Sequence, residues 1–405
     1  MTEDDLRERL LAVDPDMSRD AERRAWGAVR AAGRTTPARR VRPRWRAAVP
    51  ALACVLVLTG GVLAGAGQPH GSLARWLRAA IGETAPPRAR PKLAGLPGGG
   101  RLLVNSAGGP WIVGADGHRT YLGAYTAAGW SPHGLYVIAW RATDLAALAP
   151  QGVVQWTVTA AGPVSLARWS PDGYRIVYLA GHALWVIAGD GSGDHRLRAD
   201  AAPVTPAWQP GTGSSHRIAF VDGRGAVELA DADTGARLWR IRVPGRPGQL
   251  IWSAGGSRLV VVTPTRLSLY DPEGRLLAAA AVARGAEVTG AAFAHSGVRL
   301  ALALTQDGVG SLAVLDATRV GLHRTPQVVL RIRDPLSSVS WSPGDRWLLT
   351  ASAPADEWIF AAATPPAKLL AVGRIAAQFG APAGAVPRFP SVGGWQVGAG
   401  TPGRG

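Results

Sequence analysis

The side chains that could hold a metal, move a proton or attack a carbonyl are scattered along this chain. Its eight histidines (His70, His118, His133, His182, His195, His216, His295 and His323) show none of the paired helical spacing that brings two imidazoles to one ion. Asp190-Gly191-Ser192-Gly193-Asp194 has the alternating oxygens of a calcium loop, but it lacks the distal Glu and falls where the neighbouring segments carry a hairpin turn. There is no Gly-x-Ser-x-Gly elbow, no phosphate-cradling glycine loop and no recurring carboxylate pair. The expectation is therefore a protein with no catalytic residue, no cofactor and no metal. Cys54 is the one cysteine, so no intrachain disulfide can form. It follows Leu52-Ala53 as in a lipidation box, but at the start of an apolar run rather than its end, and it reads as a small helix residue.

What recurs is an aromatic residue leading a turn. Trp130-Ser131-Pro132-His133-Gly134 returns as Trp169-Ser170-Pro171-Asp172-Gly173, then at Trp208, Trp252, Phe293 and Trp341, at steps of 39, 39, 44, 41 and 48 residues. In this turn Pro171 presets φ, Asp172 can bond the local backbone, and Gly173 relieves crowding where the chain reverses. His133 and His295 occupy positions in these turns, which accounts for them without a ligand. The large rigid ring before each turn is left to pack between neighbouring sheets.

The elements that must position these rings are short strands. After each turn comes an apolar run (Arg175-Ile176-Val177-Tyr178, Arg217-Ile218-Ala219-Phe220, Arg299-Leu300-Ala301-Leu302), a second about ten residues on (Leu184-Trp185-Val186-Ile187, Trp358-Ile359-Phe360), then an Asp/Gly turn and a fourth run such as Leu238-Trp239-Arg240-Ile241. A four-stranded unit every 40 to 45 residues or so, with one aromatic residue and one turn, is a β-propeller blade. Before Trp130 the chain supplies three strands that lack a first (Arg101-Leu102-Leu103-Val104, Trp111-Ile112-Val113 and Thr120-Tyr121-Leu122), and the tail from Arg388 to Trp395 can supply it. Pairing the two ends removes both open sheet edges. The mean step from Trp130 to Trp341 is about 42 residues, so residues 101–396 hold seven blades; six would need about 49 residues each. The fold class expected is all-β, a seven-bladed propeller over residues 101–396 closed by the C-terminal strand, with six blades as the alternative and residues 397–405 as a disordered tail.

Residues 47–67 form a 21-residue apolar stretch, long enough to cross a bilayer as one helix. Arg34, Arg39, Arg40, Arg42, Arg44 and Arg46 precede it without an acidic residue, which places the N-terminus in the cytoplasm and the propeller outside. Ala64-Gly65-Ala66 would suit signal cleavage, but the 46-residue charged leader is unlike a secretory n-region, so a retained single-pass anchor is expected. Within 1–46, Thr2 and Asp14-Pro15 can start two short helices whose apolar surface is too small to form a core, leaving either a solvated leader or a pair that docks on a cytoplasmic partner through residues 1–33. Residues 68–100 read as an amphipathic interfacial helix over 72–81 followed by a Pro/Gly linker.

Formal net charge is +16, yet only Lys92 and Lys368 among 44 basic residues are lysines, which points to coding background rather than to a ligand. No dense basic run with interleaved aromatic residues occurs in the propeller, so nucleic acid is not the expected partner.

The unit Trp169-Ser170-Pro171-Asp172-Gly173 followed by Arg175-Ile176-Val177-Tyr178 resembles the repeat of TolB-like, or WD-repeat-like, propellers. The likeness covers most of residues 101–396, fitting best from Trp169 to Leu179 and worst at Phe293, which has lost Trp and Pro. It implies an extracytoplasmic bacterial-envelope scaffold whose face holds a partner protein or small ligand. TolB itself is soluble with a different N-terminal domain, so no role in the Tol system is implied. Asp231-Ala232-Asp233-Thr234-Gly235-Ala236-Arg237-Leu238-Trp239 is similar to a quinoprotein propeller repeat, with Gln151-Gly152-Val153-Val154-Gln155-Trp156 a looser copy. One such blade makes no cofactor funnel, so Trp239 and Trp156 are expected to pack between blades.

The function expected is a non-catalytic, membrane-anchored binding or sensing module outside the cytoplasmic membrane. Two other readings stand beside it: a transmembrane regulator resembling an anti-sigma factor in layout, although residues 1–46 lack the His and Cys of a zinc site, and a propeller enzyme.

Overall fold

In a computed structural model of the protein, residues 92–211, 213, 216–316, 326–364, 366–380 and 389–397 are described. The segments expected to form the cytoplasmic helices, the membrane span over 47–67 and the interfacial helix over 72–81 lie outside them. Among the described residues no helix is long and apolar enough to cross a membrane.

The described chain folds into seven four-stranded antiparallel sheets. Blade one is Ala127–Trp130, Val137–Arg141, Asp144–Leu148 and Val154–Thr159; blade two is Val164–Trp169, Arg175–Ala180, Ala183–Ala188 and His195–Arg198. Blade three is Ala207–Trp208, Arg217–Val221, Val227–Asp231 and Arg237–Ile241; blade four is Gln249–Trp252, Leu259–Thr263, Arg266–Tyr270 and Leu276–Ala281. Blade five is Ala286–Phe293, Arg299–Gln306, Val309–Asp316 and Gln327–Ile332; blade six is Val339–Trp341, Trp347–Ser352, Glu357–Ala362 and Leu369–Gly373. Blade seven is composite. Its first strand, Ser391–Gln396, lies against Arg101–Ser106 with Leu102 opposite Trp395, followed outward by Gly109–Val113 and Arg119–Tyr121. The two ends of the propeller are thus joined in one sheet, and the six-bladed alternative is excluded. The closing strand is Ser391–Gln396; Arg388, where the sequence reading begins that segment, lies outside the described residues.

Each sheet is covered on both faces. Seven buried apolar clusters are each shared by two adjacent blades, from the blade one–two cluster of Ile138, Trp140, Val164 and Tyr178 round to the blade seven–one cluster of Leu103, Ile112, Trp130 and Val137. This explains the strand runs that are apolar at every position rather than alternating: all of Leu259–Thr263 is buried. Blade five, whose leading aromatic is Phe293, has three eight-residue strands, so losing the Trp and Pro did not shorten it. Leu93 and Leu96, in the stretch read from sequence as linker, are buried against Trp358, Phe379 and Trp395 between blades six and seven.

Candidate binding site

In four of the seven blades the turn after the leading aromatic is stapled by the serine that follows it. The hydroxyls of Ser131, Ser170, Ser253 and Ser342 accept the backbone N–H five residues on, at 2.9, 2.9, 3.2 and 3.0 Å. All four serines are buried, so the bond stands in for water that the side chain has lost. Asp172 accepts from Tyr174 N and Ser170 Oγ, and Gly173 takes φ +80°, as expected from sequence. In blade six the order is reversed: Gly344 precedes Asp345, so Asp345 occupies the left-handed position at φ 54°. Its carboxylate then reaches blade five, accepting from the N–H groups of His295 and Ser296, both at 2.8 Å. Burial opposes its charge, but these hydrogen bonds prevail and hold Asp345 below the ordinary aspartate value.

The rings themselves follow one rule. Trp130, Trp208, Trp252 and Trp341 are buried and donate Nε1–H to the preceding blade, to the carbonyls of Gly394, Arg168, Ala207 and Ala292 at 3.3, 3.1, 3.1 and 2.9 Å. Each acceptor stands one residue before the leading aromatic of its own blade. A strand-two side chain of that preceding blade covers the ring: Arg101 lies over Trp130 at 5.1 Å and Arg299 over Trp341 at 4.7 Å. Trp395 is also buried but donates to Gly99 of the incoming chain, at 2.7 Å. Phe293 has no N–H to give. A second set of rings docks in the opposite sense at the outer rim. Trp156 donates to Gly189 O of blade two at 3.0 Å and Trp239 to Pro272 O of blade four at 2.8 Å, in agreement with the packing role read from sequence.

Trp169 breaks the rule, although its unit fits the repeat best. Between Ser165 and Arg168 the first strand of blade two bulges, with Leu166 at φ 56°. Trp169 is consequently only half-buried, stacks on Tyr136 of blade one at 6.5 Å, and its Nε1 is buried without an acceptor. Beside it lies a cavity of about 290 Å3 lined by Trp130, Pro132, Arg168, Trp169, Pro171, Pro206, Ala207, Trp208 and Gln396. These residues come from the inner strands and first turns of four consecutive blades, so the cavity is one mouth of the axial channel, on the face of the aromatic-led turns. Of the residues singled out in the sequence, the structure brings Trp130, Trp169, Pro171 and Trp208 together here; Trp252, Phe293 and Trp341 are in other blades, at equivalent places, and Trp395 precedes the lining residue Gln396 in blade seven. Arg168 and the stapling serines were missed. The recurrence of Ser immediately after Trp was a visible signal for the serines, whereas nothing set Arg168 apart from the other arginines.

The loop from Asp190 to Asp194 is the hairpin turn expected. Asp190 Oδ1 accepts from Ser192 N and Oγ, and Asp194 accepts the buried Tyr178 hydroxyl at 2.7 Å. Burial pushes both the Tyr178 hydroxyl and the Asp194 carboxyl up from their ordinary values. Among the described residues no cluster of three or more His, Cys, Asp or Glu is arranged to hold a metal ion.

No protein-family model matches the chain. No curated protein sequence matches it either. Among solved structures it resembles the β-propeller domain of Cps50 (Swd1) from Myceliophteria thermophila, at 16% identity and a TM-score of 0.50 over 62% of this chain and 86% of that one. It also resembles the C-terminal WD40 domain of Sif2, at 13% identity and a TM-score of 0.48 over 62% of this chain and 75% of that one. At these identities the likeness shows the propeller fold alone.

Proposed function

We propose that this chain is a non-catalytic binding module, held on the cytoplasmic membrane by residues 47–67 with the propeller outside, and that it takes its partner at the axial mouth beside Trp169. The observation that carries the binding role is the composition of that mouth: indole and pyrrolidine rings from three consecutive blades around one guanidinium and one amide. Such groups recognise by stacking, area and hydrogen bonding, and none of them exchanges a proton readily at neutral pH. Propellers of this type commonly serve as protein-binding modules, and the TolB-like turn motif supports an envelope setting. The arginines before the apolar stretch support the orientation.

Two measurements on the full chain test this reading. A phosphatase fused after Gly405 is expected to be active outside the cytoplasmic membrane and to stay with membranes in high salt; activity only inside, or salt extraction, overturns the anchoring. A photo-crosslinking residue at His133, exposed beside Pro132, is expected to capture a partner that the same residue at exposed Leu276 on the outer rim does not. Identical adducts from the two positions, or none from His133, overturn the mouth as the binding face.

A further inference from the structure

The mouth contains a cation that no described carboxylate neutralises. Arg168 donates Nη1–H to Ala167 O at 2.8 Å, and among the described residues no carboxylate pairs with it. The one acid of the adjoining turn, Asp172, is already engaged by Arg175, Ser170 and Tyr174. In the other six blades the residue before the leading aromatic is uncharged: Gly129, Ala207, Ile251, Ala292, Ser340 and Gly394. The charge is therefore particular to blade two, where the inner strand also bulges at Leu166 and that side chain packs on the blade two–three core. Backbone strain held in place by packing, next to an unpaired charge, marks a site rather than a repeat. Desolvation by the surrounding protein lowers the pKa of Arg168, so an anion at this point would offset a standing cost.

Resting on the reading of this mouth as the binding face, we propose that it accepts the carboxylate of an Asp or Glu side chain from an extended polypeptide partner. The carboxylate pairs with the Arg168 guanidinium, and its stem lies among Trp169, Trp208, Pro132 and Pro171. Size argues for an inserted side chain rather than a free ligand. The space is an open depression of about 290 Å3 rather than an enclosed cavity, so it suits one anchor of a partner laid across the face better than a wholly enclosed small molecule.

The test uses the full chain in detergent micelles, labelled with 5-fluorotryptophan, with the Trp169 and Trp208 resonances assigned by Trp→Phe variants. The probes are the blocked peptide Ala-Pro-Glu-Pro-Ala, its Gln counterpart, glutarate and inorganic phosphate. The Glu peptide is expected to shift both resonances saturably and to bind at least tenfold more tightly than the other three. Arg168→Gln should abolish the Glu-over-Gln preference, and Arg168→Lys should restore part of it. Equal binding of the two peptides, or an undiminished preference in Arg168→Gln, overturns the ion pair. Glutarate or phosphate binding as tightly as the Glu peptide overturns the polypeptide source. If Arg168→Gln scatters the remaining tryptophan resonances, the Glu-to-Gln ratio on the unaltered chain decides. A missing His133 adduct with an intact Glu preference removes only the reading of the face in the cell, and the opposite pattern removes only the ion pair.

Discussion

Two tryptophans with the same sequence signature face opposite costs. The Trp341 indole N–H reaches Ala292 O at 2.9 Å, whereas that of Trp169 is buried with no acceptor. A phenyl ring keeps most of the area and removes the donor, so Trp341→Phe loses this hydrogen bond while Trp169→Phe removes an orphan. We expect Trp341→Phe to destabilise by about 1 kcal/mol beyond the lost area and Trp169→Phe to be neutral or stabilising, read from urea midpoints. Asp345 supplies a pH effect. Its folded-state pKa lies below the unfolded one, so its contribution is fully present above the ordinary value of 3.8 and is lost as pH falls through the lowered folded value. Asp345→Asn should therefore flatten the acid limb of the stability profile below about pH 4, and a limb unchanged by the substitution would show that the blade five–six contact does not depend on charge.

At the scale of the element, the outer docking of blades depends on glycines that meet a ring. A Cβ on Gly191 would lie 2.9 Å from Trp156 Cδ2, and one on Gly274 would lie 3.0 Å from Trp239 Cδ2, both at φ above +80°. Gly193, two residues on, has φ +65° and open space. Gly191→Ala should thus lower the melting temperature clearly more than Gly193→Ala, which carries only the backbone cost of roughly 1 kcal/mol; equal shifts would show that the ring contact contributes nothing. The strand pattern and blade number were legible because each repeats, and repetition lifts a weak local signal above chance; the outer Trp docking was read instead from the likeness of Asp231 to Trp239 to another propeller repeat. Departures were not. The bulge at Leu166 has no Gly or Asn to mark its left-handed residue, so Trp169-Ser170-Pro171-Asp172-Gly173 looked like the best copy of the repeat while its ring is only half-buried. Leu93 and Leu96 were hidden among prolines and glycines, because two isolated leucines carry no period. Arg168 was one arginine among many, and only the channel geometry separates it.

For the whole molecule, stability is distributed among seven interfaces rather than one centre, and one of them depends on the last described strand. Ending the chain at Pro390 removes Trp395 and leaves Arg101–Ser106 as an unpaired edge between two blades. We expect that truncation to aggregate or to become protease-sensitive throughout, by size-exclusion and limited proteolysis, whereas ending it at Val397 should leave the ring intact.

The pairing of Leu102 with Trp395 also sets a clock. A ribosome working from the N-terminus releases the first staves of the barrel hoop long before the piece that locks them, so nearly three hundred residues must wait in an unclosed arc. Closure of the hoop is therefore the last step that synthesis permits.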